Sequence, residues 1–162
     1  MARPRFYPLR SGRLPGLASG ERIGSVALAE DGGRWGPDQW QLAGGKHLSG
    51  RKEFVPSAAI ADLLVVGLAG GGLAVVESDA TGIQIEVVDG ADLTRRFGHV
   101  DFDSTPCEVL EGEAAAQRMA DVGRVLLAAD AFGGSQRLLE MCVEYAKTRE
   151  QFGATNSCQS SS

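Results

Sequence analysis

Apolar and polar residues alternate in short runs over the first two thirds of the chain. Between about residues 23 and 110 these runs are rich in β-favouring side chains and are separated by glycine or aspartate, which indicates strands joined by turns. The runs are IGSVALAE, KHLSGRKEFV, LLVVGLA, LAVVES, IQIEVV and FGHVDFDS. Gly70–Gly72 separate the third run from the fourth, where positive φ angles would suit a tight reversal. The pattern predicts an antiparallel β-barrel or sandwich containing a hairpin at these glycines.

The spacing of apolar residues becomes helical after Gly112. The next 40 or so residues, roughly eleven turns, contain no proline, and apolar side chains recur every three or four positions. A helix of that length would extend roughly 50 Å, so its apolar side requires partner helices. Lys147 and Arg149 are expected in its last turn, with Gly153 as the C-cap. The predicted fold class is therefore α+β, an antiparallel barrel or sandwich followed by one long C-terminal helix.

Two adjacent glycines, Gly133 and Gly134, interrupt the helical pattern. Each costs a helix roughly 1 kcal/mol relative to alanine. They indicate either the close approach of another backbone or a ligand, or a simple break in the helix.

Composition and charge exclude several classes of function. The 162 residues suffice for one domain with an attachment, and the net charge of -5 argues against binding to nucleic acid or anionic membrane. No apolar run reaches the roughly 18 residues needed for membrane insertion. The three cysteines are scattered, without the spacing of a zinc site or a redox dithiol, which favours a reduced, cytoplasmic compartment.

Familiar nucleotide and metal motifs are absent from the sequence. The segment GGKHLSGRK has the glycine spacing of a phosphate loop, but Arg51 and Lys52 stand where a lysine and a hydroxyl residue are needed. No glycine fingerprint opens a βαβ unit. His47 and His99 have no metal ligands at suitable spacing, so no metal site is predicted.

Four segments in order resemble the acyl-CoA dehydrogenase family. The segment VEYAKTREQFG, preceded by AADAFGGSQRLLEM, resembles the signature of that family's first long C-terminal helix. LASGERIGSVALAED is similar to the entry into its middle β domain, and LSGRKEFVPSAAIADLLVV to the strand pair that lines the flavin. DLTRRFGHVDFDSTPCEVL is similar to the end of that domain. Together these segments cover roughly residues 13 to 153.

The resemblance implies a domain organisation for the chain. Residues 1–20 correspond to a remnant of an N-terminal helical domain, residues 21–112 to the middle β-barrel domain, and residues 113–153 to the first helix of the C-terminal helical domain. Residues 154–162 are small and polar, and we expect a disordered tail.

The resemblance also implies a chemistry. FAD is the cofactor, and an acyl-CoA thioester is desaturated between its α and β carbons. A carboxylate removes the α-proton while the β-hydride passes to flavin N5, and the electrons leave to an electron-transfer flavoprotein. Homo- or hetero-oligomers are expected.

Carried over residue by residue, the resemblance assigns Arg149 to the FAD pyrophosphate of a neighbouring subunit, a role that suits a guanidinium fork. Phe54 falls where the family often has a tryptophan packed near the flavin. Pro56 stands where a threonine near N5 is common, and it lacks both the hydroxyl and the backbone N–H.

The segment that lines the isoalloxazine is represented by Val26, Leu28, Ala29 and Glu30. Ala29 replaces the family's usual threonine and removes a hydroxyl. Cofactor contacts are therefore predicted at this segment, and the residues at Ala29 and Pro56 each lack a hydroxyl that the family uses near the flavin.

No catalytic residue is predicted. In a minority of the family the base lies on the first long helix at the position of Gly123, and glycine cannot remove a proton. In most members it lies further along, beyond residue 162. We therefore expect the chain alone to bind FAD weakly and to catalyse little.

The alternative is a non-catalytic partner subunit or interaction module that completes a flavin site with another chain. A third is a β-sandwich binding module that resembles the family by chance.

Overall fold

The computed structural model describes residues 12–92, 94–110, 112, 114–151 and 154–155. These residues form two compact units, one up to Ala120 and the other from Asp121. The first unit contains a short helix and seven strands: α1 Leu14–Ser19, β1 Gly24–Ala27, β2 His47–Pro56, β3 Leu63–Leu68, β4 Gly72–Glu77, β5 Ile83–Val88, β6 Phe97–Pro106 and β7 Glu108–Leu110.

The strands form two sheets, with the order β1-β3-β4-β7 in one and β2-β6-β5 in the other. All pairs in these two sheets are antiparallel except β1 and β3, which run parallel from Gly24–Leu63 to Ala27–Val66. The predicted antiparallel barrel or sandwich is confirmed, and this parallel pair is the exception within it. The chain between β1 and β3 passes through β2 in the other sheet, and such a crossover returns it in the same direction.

The glycine-rich reversal is confirmed. β3 and β4 pair antiparallel from Leu63–Glu77 to Leu68–Gly72, and a single turn at Ala69–Gly71 joins them. Gly70 and Gly71 have φ angles of 74° and 75°, a region in which a side chain would be strained. The positions that the sequence marks as permissive are those that the hairpin requires.

The main core lies between the two sheets. Alternate residues of each strand point inward, as expected when two half-buried sheets pack face to face. The inward side chains from the four-stranded sheet include Ala27, Leu64, Val66, Ala74 and Val76, and those from the three-stranded sheet include Leu48, Val55, Val100 and Phe102.

A second apolar cluster covers the other face of the four-stranded sheet. Its buried members are Trp40, Leu73 and Ala116, and Leu28, Val65 and Met119 are among the residues packed against them. Ala116 and Met119 belong to the first turns of the long helix, so this cluster attaches the beginning of that helix to the sheet.

The long helix, α2, spans Ala115–Thr148 without interruption, 34 residues. It would measure about 51 Å at 1.5 Å per residue. It continues through Gly133 and Gly134, so a helix break is excluded, and a Cβ added at either glycine would meet nothing within 4 Å in this chain. Arg149 lies directly after the last turn, and Gly153 lies outside the described residues. No helix in the described part of the chain is long and apolar enough to cross a bilayer.

Most of α2 leaves its apolar side chains uncovered. From Val122 to Tyr145, ten large apolar residues are exposed. They are Val122, Val125, Leu126, Leu127, Phe132, Leu138, Leu139, Met141, Val143 and Tyr145. After Thr148 the chain forms a small hairpin, β8 Glu150–Gln151 and β9 Ala154–Thr155.

Candidate functional site

The end of β1 runs beside the C-terminal half of β2. The Glu53 N–H donates to the Ala29 carbonyl at 2.8 Å, and the Ser25 hydroxyl donates to the Pro56 carbonyl. Because these two contacts bracket the segment, five of the predicted cofactor-binding residues lie along one strand edge, although they come from stretches about 25 positions apart. These five residues are Val26, Leu28, Ala29, Phe54 and Pro56.

Their side chains do not all face outward. Val26 and Phe54 are 37% and 43% exposed, Pro56 is exposed, and Leu28 is half-buried against the second cluster. Ala29 is only 3% exposed, because the alternation of the strand turns its methyl group toward the core. A ligand at this edge can contact Val26 and Phe54 through their side chains but Ala29 only through its backbone.

Phe54 owes its exposure to a β-bulge. The pairing of β2 with β6 shifts register between Lys52 and Val55, and Phe54 sits within that shift with a φ angle of 50°. Positive φ is uncommon for a bulky side chain, and bulges of this kind redirect one side chain out of the regular alternation. The bulge points an aromatic ring outward from the strand edge.

Trp35 is a site residue that the sequence analysis missed. Its ring stacks on Phe54 at a centroid distance of 6.0 Å and an angle of 15°, and His99 meets Phe54 edge-on at 5.3 Å. Trp35 is 59% exposed. An aromatic residue between glycines in a polar loop is the available signal, but its stacking partner is 19 positions away. The two stacked rings make an exposed aromatic surface.

The loop that carries Trp35 is held from within. The Gln39 side-chain oxygen accepts hydrogen bonds from the N–H groups of Trp35 at 3.2 Å and Gly36 at 3.1 Å. The Trp40 indole N–H donates to the Trp35 carbonyl at 3.3 Å. Trp35 is thus fixed by its backbone while its ring remains accessible.

A buried ion pair lies beneath this edge. The Lys52 side chain is fully buried, and Nζ is 2.6 Å from Glu30 Oε1 and 3.2 Å from the Leu28 carbonyl oxygen. The Glu30 carboxylate also accepts hydrogen bonds from the backbone N–H groups of Gln41 at 2.7 Å and Leu42 at 3.0 Å. The family resemblance assigns Glu30 to the flavin-lining segment, whereas Lys52 stood out in the sequence only because it does not match the phosphate-loop motif.

The two partners of the pair respond differently to their surroundings. Burial opposes ionisation of Glu30, but the hydrogen bonds from Lys52, Leu42 and Gln41 outweigh it and hold the pKa of this carboxyl below its usual value. Burial lowers the pKa of the Lys52 ammonium by more than the hydrogen bond to Glu30 raises it. Lysine at a core-facing position of β2 is the feature of the sequence that could have revealed the pair.

Arg149 lies in the second unit. Its backbone N–H donates to the Tyr145 carbonyl at 2.8 Å. Its guanidinium donates to the Tyr145 hydroxyl at 2.7 Å and lies 5.4 Å from the ring centroid. No carboxylate among the described residues forms an ion pair with Arg149. Tyr145 therefore orients the guanidinium without neutralising it.

Gly123 lies in the third turn of α2, with open space where a Cβ would be. The nearby Asp121 carboxylate is 2.7 Å from Arg124 Nη1 and is exposed. The described part of α2 therefore has no carboxylate at the position that the resemblance identifies with a base. Nor do three or more His, Cys, Asp or Glu side chains cluster as metal ligands anywhere in that part of the chain.

Known proteins are similar to this chain in sequence and in fold. The family model for the acyl-CoA dehydrogenase C-terminal domain matches residues 111–159. A probable acyl-CoA dehydrogenase of Bacillus subtilis (strain 168) is 30% identical over 161 residues, covering 86% of this chain and 27% of that protein.

Two solved structures are similar over nearly the whole chain. A variant of the steroid ACAD Tcur3481-Tcur3483 is 33% identical with a TM-score of 0.82, covering 94% of this chain and 44% of that one. PigA with FAD and proline is 26% identical with a TM-score of 0.77, covering 93% and 45% respectively. The chain thus spans less than half the length of these relatives. Sequence and fold together show that it belongs to the acyl-CoA dehydrogenase family.

Proposed function

We propose that this chain provides the flavin-binding β domain and the first C-terminal helix of an FAD-dependent dehydrogenase that desaturates an acyl-CoA thioester. One observation carries the proposal: the edge formed by β1 and the bulged half of β2 presents Val26 and the stacked rings of Phe54 and Trp35 to solvent. In this organisation residues 21–112 are the β domain and residues 113–153 the beginning of the helical domain.

The residues at this edge fit a flavin. A planar isoalloxazine gains most from an apolar, aromatic surface, and Val26 and Phe54 offer one that is already exposed. Pro56 has no N–H to donate, so hydrogen bonds to the ring must come from other backbone groups of the segment. When bound, FAD would supply the hydride acceptor for oxidation of the Cα–Cβ bond. This chain would orient the ring and exclude water from one side of it.

Arg149 is proposed to bind the FAD pyrophosphate of a neighbouring subunit. Its guanidinium is charged at every physiological pH and fits two phosphate oxygens at once. Tyr145 limits the conformations of the side chain, which reduces the entropy lost on binding. This role requires an oligomer, and an electron-transfer flavoprotein is the proposed electron acceptor.

The alternative is a non-catalytic subunit that completes a flavin site with another chain. The long exposed apolar stretch of α2 and the absence of a carboxylate at Gly123 favour it. In that case the proton-removing carboxylate and the partner helices come from the other polypeptide.

Titration of the purified 162-residue chain with FAD tests the cofactor assignment. We expect saturable quenching of flavin fluorescence. Val26→Asp should weaken binding about tenfold or more, because it places a negative charge beside a polyanionic ligand. Val109→Asp is the matched control, since Val109 is an exposed valine on β7 at the opposite edge of the same sheet. Equal effects of the two substitutions would contradict the site.

Anaerobic addition of a panel of acyl-CoAs to the FAD-loaded chain tests the chemistry. We expect little bleaching of the flavin absorbance by the chain alone. Recovery of bleaching with a co-purified partner that carries further helices would support the alternative. Full turnover by this chain alone would refute the expectation that it is incomplete, and FAD retention by the isolated chain would count against the alternative.

A further inference from the structure

We propose that Lys52 and Glu30 are positioning residues. They hold the backbone at Leu28 and the Trp35 loop, which together form the cofactor-contacting edge, in the conformation that binds the cofactor. This inference rests on the proposed flavin site. It assigns a role to a pair that is almost completely shielded from solvent.

Stability alone is a poor reason for such a pair. Lys52 is fully buried and Glu30 is 7% exposed, so both charges have lost their hydration. The attraction between two buried charges often fails to exceed this desolvation cost, and apolar residues of similar size would stabilise the core as well or better. What apolar residues cannot supply is a set of directed hydrogen bonds.

The first directed bond reaches the strand that lines the edge. The pairing of β1 with β3 ends at Ala27, and the next contact along the chain is the bridge between Ala29 and Glu53. Leu28 lies between these two, and its carbonyl oxygen accepts a hydrogen bond from Lys52 Nζ at 3.2 Å. Lys52 thus fixes the orientation of the peptide unit between Leu28 and Ala29, two of the residues proposed to contact the cofactor.

The second set of bonds reaches the Trp35 loop. Glu30 begins this loop, and its carboxylate accepts hydrogen bonds from the N–H groups of Gln41 and Leu42 at the other end. The loop is thereby closed at its base. The Lys52 ammonium also lies 5.2 Å from the centroid of Trp40, whose indole N–H holds the Trp35 carbonyl.

The pair also adjoins the bulge. Lys52 immediately precedes the register shift that turns Phe54 outward. One buried contact therefore joins three parts of the edge: the end of β1, the loop that follows it and stacks Trp35 on Phe54, and the bulge of β2, which is about 20 positions further along the chain. Rigid support of this kind is what a preorganised binding site requires.

A four-protein comparison separates positioning from stability. FAD affinity and thermal unfolding are measured for the wild-type chain, Lys52→Met, Glu30→Gln and the double variant. Lys52→Met leaves the buried Glu30 carboxylate without its counter-charge and should lower both the FAD affinity and the melting temperature. The double variant removes both charges and should recover much of the lost melting temperature. Because it still lacks the donor to the Leu28 carbonyl, its FAD dissociation constant should stay about tenfold above that of the wild type.

Glu30→Gln serves as the second variant, since Lys52 can still donate to Leu28 and the amide oxygen can still accept the bonds from Lys52 and from the Leu42 N–H that Oε1 accepts. We expect its FAD dissociation constant to lie within about threefold of the wild-type value. The matched control is the exposed pair Arg51–Glu86 beside Lys52, with Nη2 and Oε2 at 2.6 Å. Arg51→Met with Glu86→Gln should leave FAD affinity unchanged.

The outcomes are distinguishable. Failure of the wild-type chain to bind FAD would refute the proposed flavin site and this inference with it. Binding by the wild type together with wild-type affinity in the double variant would overturn the positioning role and leave the flavin site standing. If the double variant does not fold, the two single variants provide the test. If both are folded and Glu30→Gln binds FAD as weakly as Lys52→Met, the positioning role is overturned.

Discussion

Trp40 packs where Gly67 has no side chain. A Cβ added at Gly67 would lie 2.6 Å from Cε3 of the Trp40 ring, closer than any tolerated contact. Trp40 belongs to the second apolar cluster, which covers the outer face of the four-stranded sheet. Glycine near the end of β3 is thus explained by the approach of an indole ring.

We predict that Gly67→Ala destabilises the protein by about 1 to 3 kcal/mol, because the ring or the strand must move. Urea unfolding monitored by tryptophan fluorescence measures this change. Gly45→Ala is the control, since the nearest atom to its added Cβ, the His47 carbonyl oxygen, is at an ordinary 3.7 Å. A loss of stability as large in the control as in Gly67→Ala would show that crowding by Trp40 is not the cause.

Arg149 gives a second prediction for a single residue. Arg149→Ala should weaken FAD binding by the assembled protein about tenfold, since a bidentate charged contact to phosphate is lost. Arg149→Lys should restore only part of the affinity, because an ammonium keeps the charge but loses the fork. Isothermal titration measures both. Lys147→Ala, which breaks the exposed contact of Lys147 with Glu144 at 2.8 Å, should have no effect.

At the scale of elements, arginines beside α1 connect it to the sheet. Arg13, immediately before α1, contacts Glu77 at the end of β4 at 2.8 Å and Glu108 on β7 at 2.6 Å. Arg22, after α1, also contacts Glu77. Burial opposes ionisation of Glu77, but Arg22 and Arg13 outweigh it and lower the pKa of this carboxyl.

A lowered pKa in the folded state stabilises the protein above the unfolded-state pKa of about 4.5, and that stability is lost as the pH falls through the folded value. We therefore predict that the free energy of unfolding decreases on acidification below about pH 5. Glu77→Gln should cost about 1 kcal/mol at pH 7, a modest value because the group is partly exposed, and should flatten this pH dependence. Urea unfolding at several pH values measures both effects. Glu21→Gln, on the turn after α1, should retain the wild-type profile.

At the scale of the whole molecule, the exposed apolar side chains of α2 are the feature that bears on association. Ten large apolar residues between Val122 and Tyr145 exceed what a monomeric surface normally presents together. A helix this long gains most of its stability from packing against other helices. We infer that other helices cover this stretch in the functional assembly.

We predict that the chain self-associates with increasing concentration in analytical ultracentrifugation. Leu139→Glu should shift the distribution toward lower mass, because a charge cannot be buried between apolar helices without a large cost. Gln136→Glu adds the same charge at a polar position of the same helix and should leave the distribution unchanged. Identical behaviour of the two variants would mean that this part of α2 does not mediate association.

Local signals identified much of the fold. Gly70 and Gly71 mark the hairpin, and helical spacing predicts α2. The spacing alone could not decide whether Gly133 and Gly134 break the helix, because two glycines at roughly 1 kcal/mol each cost little beside the cooperative hydrogen bonding of a 34-residue helix. The resemblance to a family predicts cofactor contacts at Val26 and Phe54, which periodicity alone could not assign to a ligand.

The sequence by itself determined the features that depend on residues a few positions apart, which are the strand runs, the turn and the long helix. Its motifs also indicated the family. The tertiary structure alone decided the parallel pairing of β1 with β3, the outward turn of Phe54, and its stacking with Trp35. It also decided the pairing of Lys52 with Glu30. These features join residues about 20 to 40 positions apart, and their energies arise only when packing brings the partners together and removes water.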